Sequence, residues 1–149
     1  MQQSQPSWNV RIIAHDGEPA TAYARTHRFT VGEPLSFDQG YGAVTALEYI
    51  LSAIGADLVG NLQVVAKQRR VSLENVEAAV SGALNNPLIY LGVVGEEGHP
   101  GLQRVAVTLY IRSSAEEAVV QDLWPEALRR SPLYQTFKDV LDLTFNIVN

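Results

Sequence analysis

The stretch "EYILSAIGADLVGNL", Glu48 to Leu62, carries the residue whose type fits its surroundings least. Asp57 stands in an almost unbroken apolar run, and a carboxylate in such a place is costly unless something pairs it. On a helix Asp57 shares its stripe with Ile50, Ala53, Ile54 and Asn61, so one amide is its only polar neighbour there. An Arg is the usual partner for a charge so placed, because its planar fork matches a carboxylate. Arg25 and Arg28, in the N-terminal strands, are the candidates. The alternative is an Asp satisfied at a water-lined break near Gly55 or Gly60. Glu48 lies nine residues before Asp57, and at about 100° per residue the two point to opposite sides of one helix. They are not an intrahelical acid–base pair.

Other chemistry is sparse. His15, His27 and His99 are isolated, and no pair has helical metal-ligand spacing, so no metal site is expected. His99 sits in "GEEGHPG", a surface-loop composition, while His27 alternates with Arg28 in a strand and is the one histidine placed to approach a site. There is no G-x-S-x-G, no GxGxxG and no P-loop, and "GVVGEEG" carries two acids that would repel phosphate. With no cysteine, the chain has no disulfide, thiolate nucleophile or cysteine-ligated metal. No cofactor is expected. The net charge of −5 provides no electrostatic footprint for nucleic acid or an anionic membrane. "KQRR", Lys67 to Arg70, reads as the cationic last turn of a helix.

The elements that must position Asp57 follow from periodicity. A length of 149 residues with 46% hydrophobic and 18% charged residues suits one domain with a proper core, spanning 1–149 with residues 1–6 frayed. "WNVRIIAHDGEP" reads as a strand into an Asp16-Gly17 turn, and "ATAYARTHRFTVG" as one or two strands. "EPLSFDQGYG" is a loop, followed by a long helix over Ala43 to Arg70 that is buried on nearly every side, as a core helix or a dimer interface. Val76, Ala78, Val80 and Leu84 alternate as a strand after a turn at 71–75. "PLIYLGVV" and "LQRVAVTLYI" flank a Gly-rich loop and read as an antiparallel hairpin, with Val105, Val107, Leu109 and Ile111 on one face. "SAEE", Ser114 to Glu117, has capping-box form, and the helix it opens is expected to kink or break at Pro125. "SPLYQTF" starts a further short turn or helix, and "VLDLTFNIV" closes as a strand with Leu141, Leu143, Phe145 and Ile147 on one face. The N-terminus lacks the basic and apolar regions of a signal peptide, and no run reaches the roughly 18 apolar residues of a membrane span. A cytoplasmic protein is the default expectation.

The order of these segments resembles the OsmC/Ohr family, the osmotically induced and organic-hydroperoxide-resistance proteins. "VGEPLSFDQGYGAVTALEYILSAIGADLVGNL" is similar to the family's central motif, which ends in P-x-E-L-L-L-A-A-L-G-x-C and reads A-L-E-Y-I-L-S-A-I-G-A-D here. "VSLENVEAAVSGAL" resembles the strand after the long helix, and "LQRVAVTLYIRSSAEEAVVQDLWPEALRRSPLYQTF" the strand, helix and C-P-V-Y-x-T-L segment. The resemblance implies an α+β OsmC-like fold, an intertwined homodimer with antiparallel sheets wrapped around two long central helices, and a site at the subunit interface. In active members a reactive cysteine on the first long helix attacks a hydroperoxide and a second cysteine resolves it as a disulfide. An Arg from an N-terminal strand and a Glu near the helix start orient the reactants.

This chain departs from the pattern at the chemistry. The reactive cysteine falls on Asp57, the resolving cysteine on Ser131 and the motif's Pro on Ala46. Glu48 matches the Glu of P-x-E-L, although hydroperoxide-resistance members place theirs one residue earlier, at Leu47 here. Thiol peroxidase chemistry needs a thiolate that is oxidised and a second thiol that rescues it, and Asp and Ser do neither. The expectation is therefore an OsmC-like dimer without cysteine-based hydroperoxide reductase activity. Its ion pair or pocket is expected to involve Asp57, Ser131, Asn61, Tyr134, Glu48 and an arginine, Arg25 as first choice and Arg28 as second, and to take a small apolar or amphipathic ligand. The alternatives are an enzyme of another class using Asp57 as base or nucleophile, and a purely structural or partner-binding dimer.

Overall fold

The computed structural model describes residues 4–149; the first half of the expected N-terminal frayed segment lies outside the described residues. The chain divides into two compact units, Met1–Ile50 and Leu51–Asn149. The first holds an antiparallel sheet of β1 (Arg11–Ile13), β2 (Ala20–Ala24) and β3 (His27–Val31), in that order. Its first connection turns at Asp16-Gly17, where Gly17 takes φ 77° and Glu18 N donates to His15 O at 3.1 Å. The stretch read as one or two strands is two, joined at Arg25, which adopts a left-handed φ of 55°.

Helix α1 (Ala46–Gln68) begins in the first unit and runs through the second. Its start is a capping box that the sequence reading passed over: Thr45-x-x-Glu48. Glu48 N donates to Thr45 Oγ1 at 3.2 Å, while Thr45 N and Thr45 Oγ1 donate to Glu48 Oε1 at 3.0 and 2.9 Å. Contrary to the expectation that no segment is apolar enough to span a membrane, α1 meets that test by length and composition, with a mean hydropathy of 1.4. The core helix of a protein outside any membrane meets it too. Ile54, Leu58, Leu62, Val65 and Ala66 are buried. Its other apolar positions are only partly covered: a third of the 18-residue window is buried.

The second unit carries a sheet in the order β4-β5-β6, formed by Asn75–Leu84, Leu102–Arg112 and Asp142–Val148. Val105, Val107, Leu109 and Ile111 form its buried face, as their alternation requires, and Leu143, Phe145 and Ile147 share one side of β6. The close approach of α1 to β4 depends on two positions without side chains. A Cβ on Gly55 would stand 2.8 Å from Val80 Cγ2, and one on Gly82 would stand 2.9 Å from Leu51 Cδ2. Within an otherwise antiparallel arrangement β6 pairs parallel to β5, because α3 (Glu117–Arg130) and α4 (Pro132–Phe137) return the chain to the start of the sheet.

Three local expectations are corrected. "PLIY" is not a strand paired with β5 but the short helix α2 (Pro87–Tyr90); β5 pairs with β4 instead. Asn86 Oδ1 accepts from Leu88 N at 3.1 Å and Pro87 occupies the first turn, which is the chemistry of a helix start. "SAEE" does not form a capping box: the N-cap is Glu116, with no side-chain cap, and Ser113 Oγ instead donates to Ser72 O and accepts from Ala115 N at 3.1 Å. Finally, α3 does not break at Pro125. It runs on to Arg130, with Val120, Leu123 and Ala127 buried on one stripe across the proline. The burial of that stripe outweighs the loss of one backbone donor.

Candidate functional site

The second unit brings together four of the residues singled out in the sequence. Ser131 is the hinge between α3 and α4, with an extended backbone at φ −79° and ψ 113°. Its amide donates to Leu128 O at 3.2 Å, ending α3, and its Oγ accepts from Tyr134 N at 3.0 Å, capping α4. Pro132 follows at the first helical position, where a missing donor costs nothing. Ser131 is 0% exposed, so its hydroxyl proton must go to a protein acceptor. That acceptor is Asp57 Oδ2, 74 residues away in sequence.

Asp57 is half-buried, and its other carboxylate oxygen is also engaged. Asn61, one turn on, donates through Nδ2 to Asp57 Oδ1 at 3.2 Å and to Asp57 O at 2.9 Å. The stripe inferred from the sequence therefore carries its polar neighbour where expected. Asp57 also has a second donor that spacing within α1 cannot reveal, because it comes from another helix. Tyr134 contributes its backbone here; its ring packs against Phe145 at 5.9 Å, and Phe145 meets Trp124 at 5.2 Å. A serine hydroxyl has one donor and two acceptors. The donor of Ser131 is spent on Asp57 and one acceptor on Tyr134 N. The pair is a hydrogen-bonded tie between α1 and the α3–α4 hinge, and neither side chain can shuttle between redox states.

Arg25, Arg28, His27 and Glu48 lie in the first unit, and His99 in a loop of the second. Arg25 is exposed at the β2–β3 turn, and Arg28 is exposed in β3 opposite Tyr23. His27 is exposed beside it, and His99 Nδ1 accepts from Gly101 N at 3.1 Å within its own loop. Glu48 is the capping-box carboxylate of α1. Hydrogen bonds from the Thr45 backbone and then its hydroxyl hold its pKa below the ordinary value of 4.5. The folded state thus favours the ionised form. The contribution of Glu48 to stability is complete above pH 4.5 and is lost as pH falls through the lower folded-state value. Glu48→Gln keeps a capping-box side chain but removes the titration, so urea-unfolding midpoints measured below about pH 4.5 should fall less steeply with acid than in the wild type. Among the described residues no group of three or more His, Asp or Glu is placed to hold a metal ion.

Two three-stranded sheets, a 23-residue helix and a parallel closing strand define an α+β fold of the OsmC-like type. The profile of the OsmC-like protein family matches residues 38–146, and the chain belongs to that family. Solved structures agree on the fold. An OsmC-like protein from Mycoplasma pneumoniae superposes with a TM-score of 0.78 at 15% identity, covering 98% of this chain and 100% of that one. An organic hydroperoxide resistance protein OsmC from Legionella pneumophila gives 0.71 at 15% identity, covering 99% and 100%. The organic hydroperoxide resistance protein OhrB of Bacillus subtilis gives 0.64 at 14% identity, covering 95% and 97%. No curated protein matches the sequence.

Proposed function

We propose that this protein is an OsmC-like homodimer in which a hydrogen-bonded Asp57–Ser131 pair occupies the place of the family's two thiols, and that it has no thiol peroxidase activity. The observation that carries this reading is the contact itself. The two positions that align with the reactive and resolving cysteines lie 74 residues apart, yet their side chains meet, as the two sulfurs of a resolving disulfide must. The family match crosses the boundary between the two compact units, which supports treating 1–149 as one domain.

The dimer reading rests on α1. A helix of this hydropathy with a third of its window buried leaves a large apolar surface to cover, and a second copy is the partner the family resemblance implies. In that arrangement an N-terminal strand of the partner supplies an arginine to Asp57. Arg28 suits that role better than Arg25, because it lies within a strand and not in a turn. The interface pocket beside Asp57, Asn61, Ser131 and Tyr134 takes a small apolar or amphipathic ligand. The setting is cytoplasmic, without nucleic acid or membrane as partner.

Sedimentation of the purified protein should give twice the 16.3 kDa of one chain at micromolar concentration. A monomer at that concentration would remove the interface and the pocket with it.

A further inference from the structure

A cavity of about 440 Å³ lies in the second unit, between the end of α1 and the first two turns of α3. That volume falls within the roughly 300–1,000 Å³ of small-molecule sites. Its shape follows from how α1 stops. Arg70 takes a left-handed φ of 57°, Arg70 N donates to Lys67 O at 3.2 Å and Val71 N donates to Ala66 O at 2.8 Å. This is the Schellman pattern of a helix end, and Val71, the residue just beyond it, lines the cavity. Ser113 Oγ donates to Ser72 O and so ties the chain leaving α1 to the segment that leads into α3. From α3, Ala118, Val119 and Leu123 supply the rest of the apolar lining. Leu123 is buried while Val119 is 43% exposed, so the apolar wall is reachable from solvent.

One charged pair edges this wall. Arg69 Nη1 donates to Asp122 O at 3.2 Å and to Asp122 Oδ2 at 3.3 Å. The two side chains are 43% and 82% exposed, so solvent screens the pair and it is readily exchanged. Both bonds leave from Nη1, and Nε and Nη2 make no hydrogen bond among the described residues. A guanidinium matches a carboxylate through two parallel bonds, a geometry that Asp122 does not complete. Arg69 is also the less exposed of the two charges, so an incoming charge is less screened at Arg69 than at Asp122. The neighbouring charges, Lys67 and Arg70 on α1 and Glu116 and Glu117 at the start of α3, are exposed and do not line the cavity.

We propose that this cavity binds a small aliphatic carboxylate, its chain against Val71, Val119 and Leu123 and its carboxylate on Nε and Nη2 of Arg69. The site uses none of Asp57, Asn61, Ser131 or Tyr134, and every wall comes from one chain. It therefore depends neither on the reading of the Asp57–Ser131 pair nor on dimerisation.

The test is a titration of the full-length protein with hexanoate at about pH 7, followed by backbone amide chemical shifts, with hexan-1-ol and hexylammonium as neutral and cationic counterparts. Saturable shifts are expected at amides of residues 66–72 and 117–124, with hexanoate bound at least roughly threefold tighter than either counterpart. Affinity should rise about two- to fourfold for each CH₂ added between butanoate and hexanoate. Arg69→Gln should abolish the preference for hexanoate over hexan-1-ol. Asp122→Asn, which releases Arg69 from its competing carboxylate, should tighten hexanoate by about two- to fourfold. Both side chains are exposed enough that neither change threatens the fold. The absence of saturable shifts, shifts confined to other residues such as 55–62 and 131–134, hexylammonium binding as tightly as hexanoate, or an undiminished preference in Arg69→Gln would overturn the proposal.

Discussion

The Asp57→Cys/Ser131→Cys double variant, treated with one equivalent of an organic hydroperoxide and no reductant, should lose two hydrogens by intact mass and form an intramolecular disulfide. Each single cysteine variant should not. The reason is geometric. The side chains at 57 and 131 already touch, and the residue at 131 is held rigidly because it both ends α3 and caps α4. In the double variant a thiolate at 57 attacks the peroxide oxygen and becomes a sulfenic acid as the alcohol leaves; the thiol at 131 then displaces water to form the disulfide. Closing a loop across 74 residues should also raise stability by about 2–4 kcal/mol, readable as a higher urea midpoint of the oxidised over the reduced variant. Free thiols after peroxide treatment would mean that the two positions do not come together as a resolving pair does.

A double-mutant cycle at the natural pair is the second large effect. Asp57→Ala strands a hydroxyl that is fully buried, and Ser131→Ala removes both a donor to the carboxylate and the cap of α4. Each single change should cost about 1–3 kcal/mol in urea unfolding. The double variant should be less destabilised than the sum, with a coupling of about 1.5–3 kcal/mol for a hydrogen bond to a charged group. Additivity within about 0.5 kcal/mol would show that the two side chains act separately.

Much of the scaffold was legible because its signals are local. Alternation fixed the inward face of β5 and of β6, and the long apolar run of α1 predicted a helix, although one buried on nearly every side where a single chain buries only Ile54, Gly55, Leu58, Leu62, Val65 and Ala66. The misreadings arose where a local signal competed with another or with tertiary packing. "PLIY" has strand composition, but Asn86-Pro87 before it is a stronger helix start. Pro125 disfavours a helix, but Val120, Leu123 and Ala127 bury a stripe across it. Thr45-x-x-Glu48 is a capping box whose signal is local, a Thr and a Glu three positions apart before an apolar run. At the site, helical spacing places Asn61 beside Asp57, and Asn61 donates to it, whereas the partner the sequence suggests is an arginine and the second donor is Ser131. Ser131 as donor was out of reach of any periodicity, since only the return of the α3–α4 hinge to α1 creates that contact. Family alignment pointed to both positions without saying that oxygen would meet oxygen.

The central claim, that this OsmC-like chain keeps the address of the thiol pair but not its chemistry, is tested most directly by hydroperoxide consumption. The wild-type protein, incubated with an organic hydroperoxide and excess dithiol reductant, should consume peroxide at the rate of the reductant alone. The Asp57→Cys/Ser131→Cys variant should exceed that rate in the same assay. Turnover above background by the cysteine-free wild type would contradict the account.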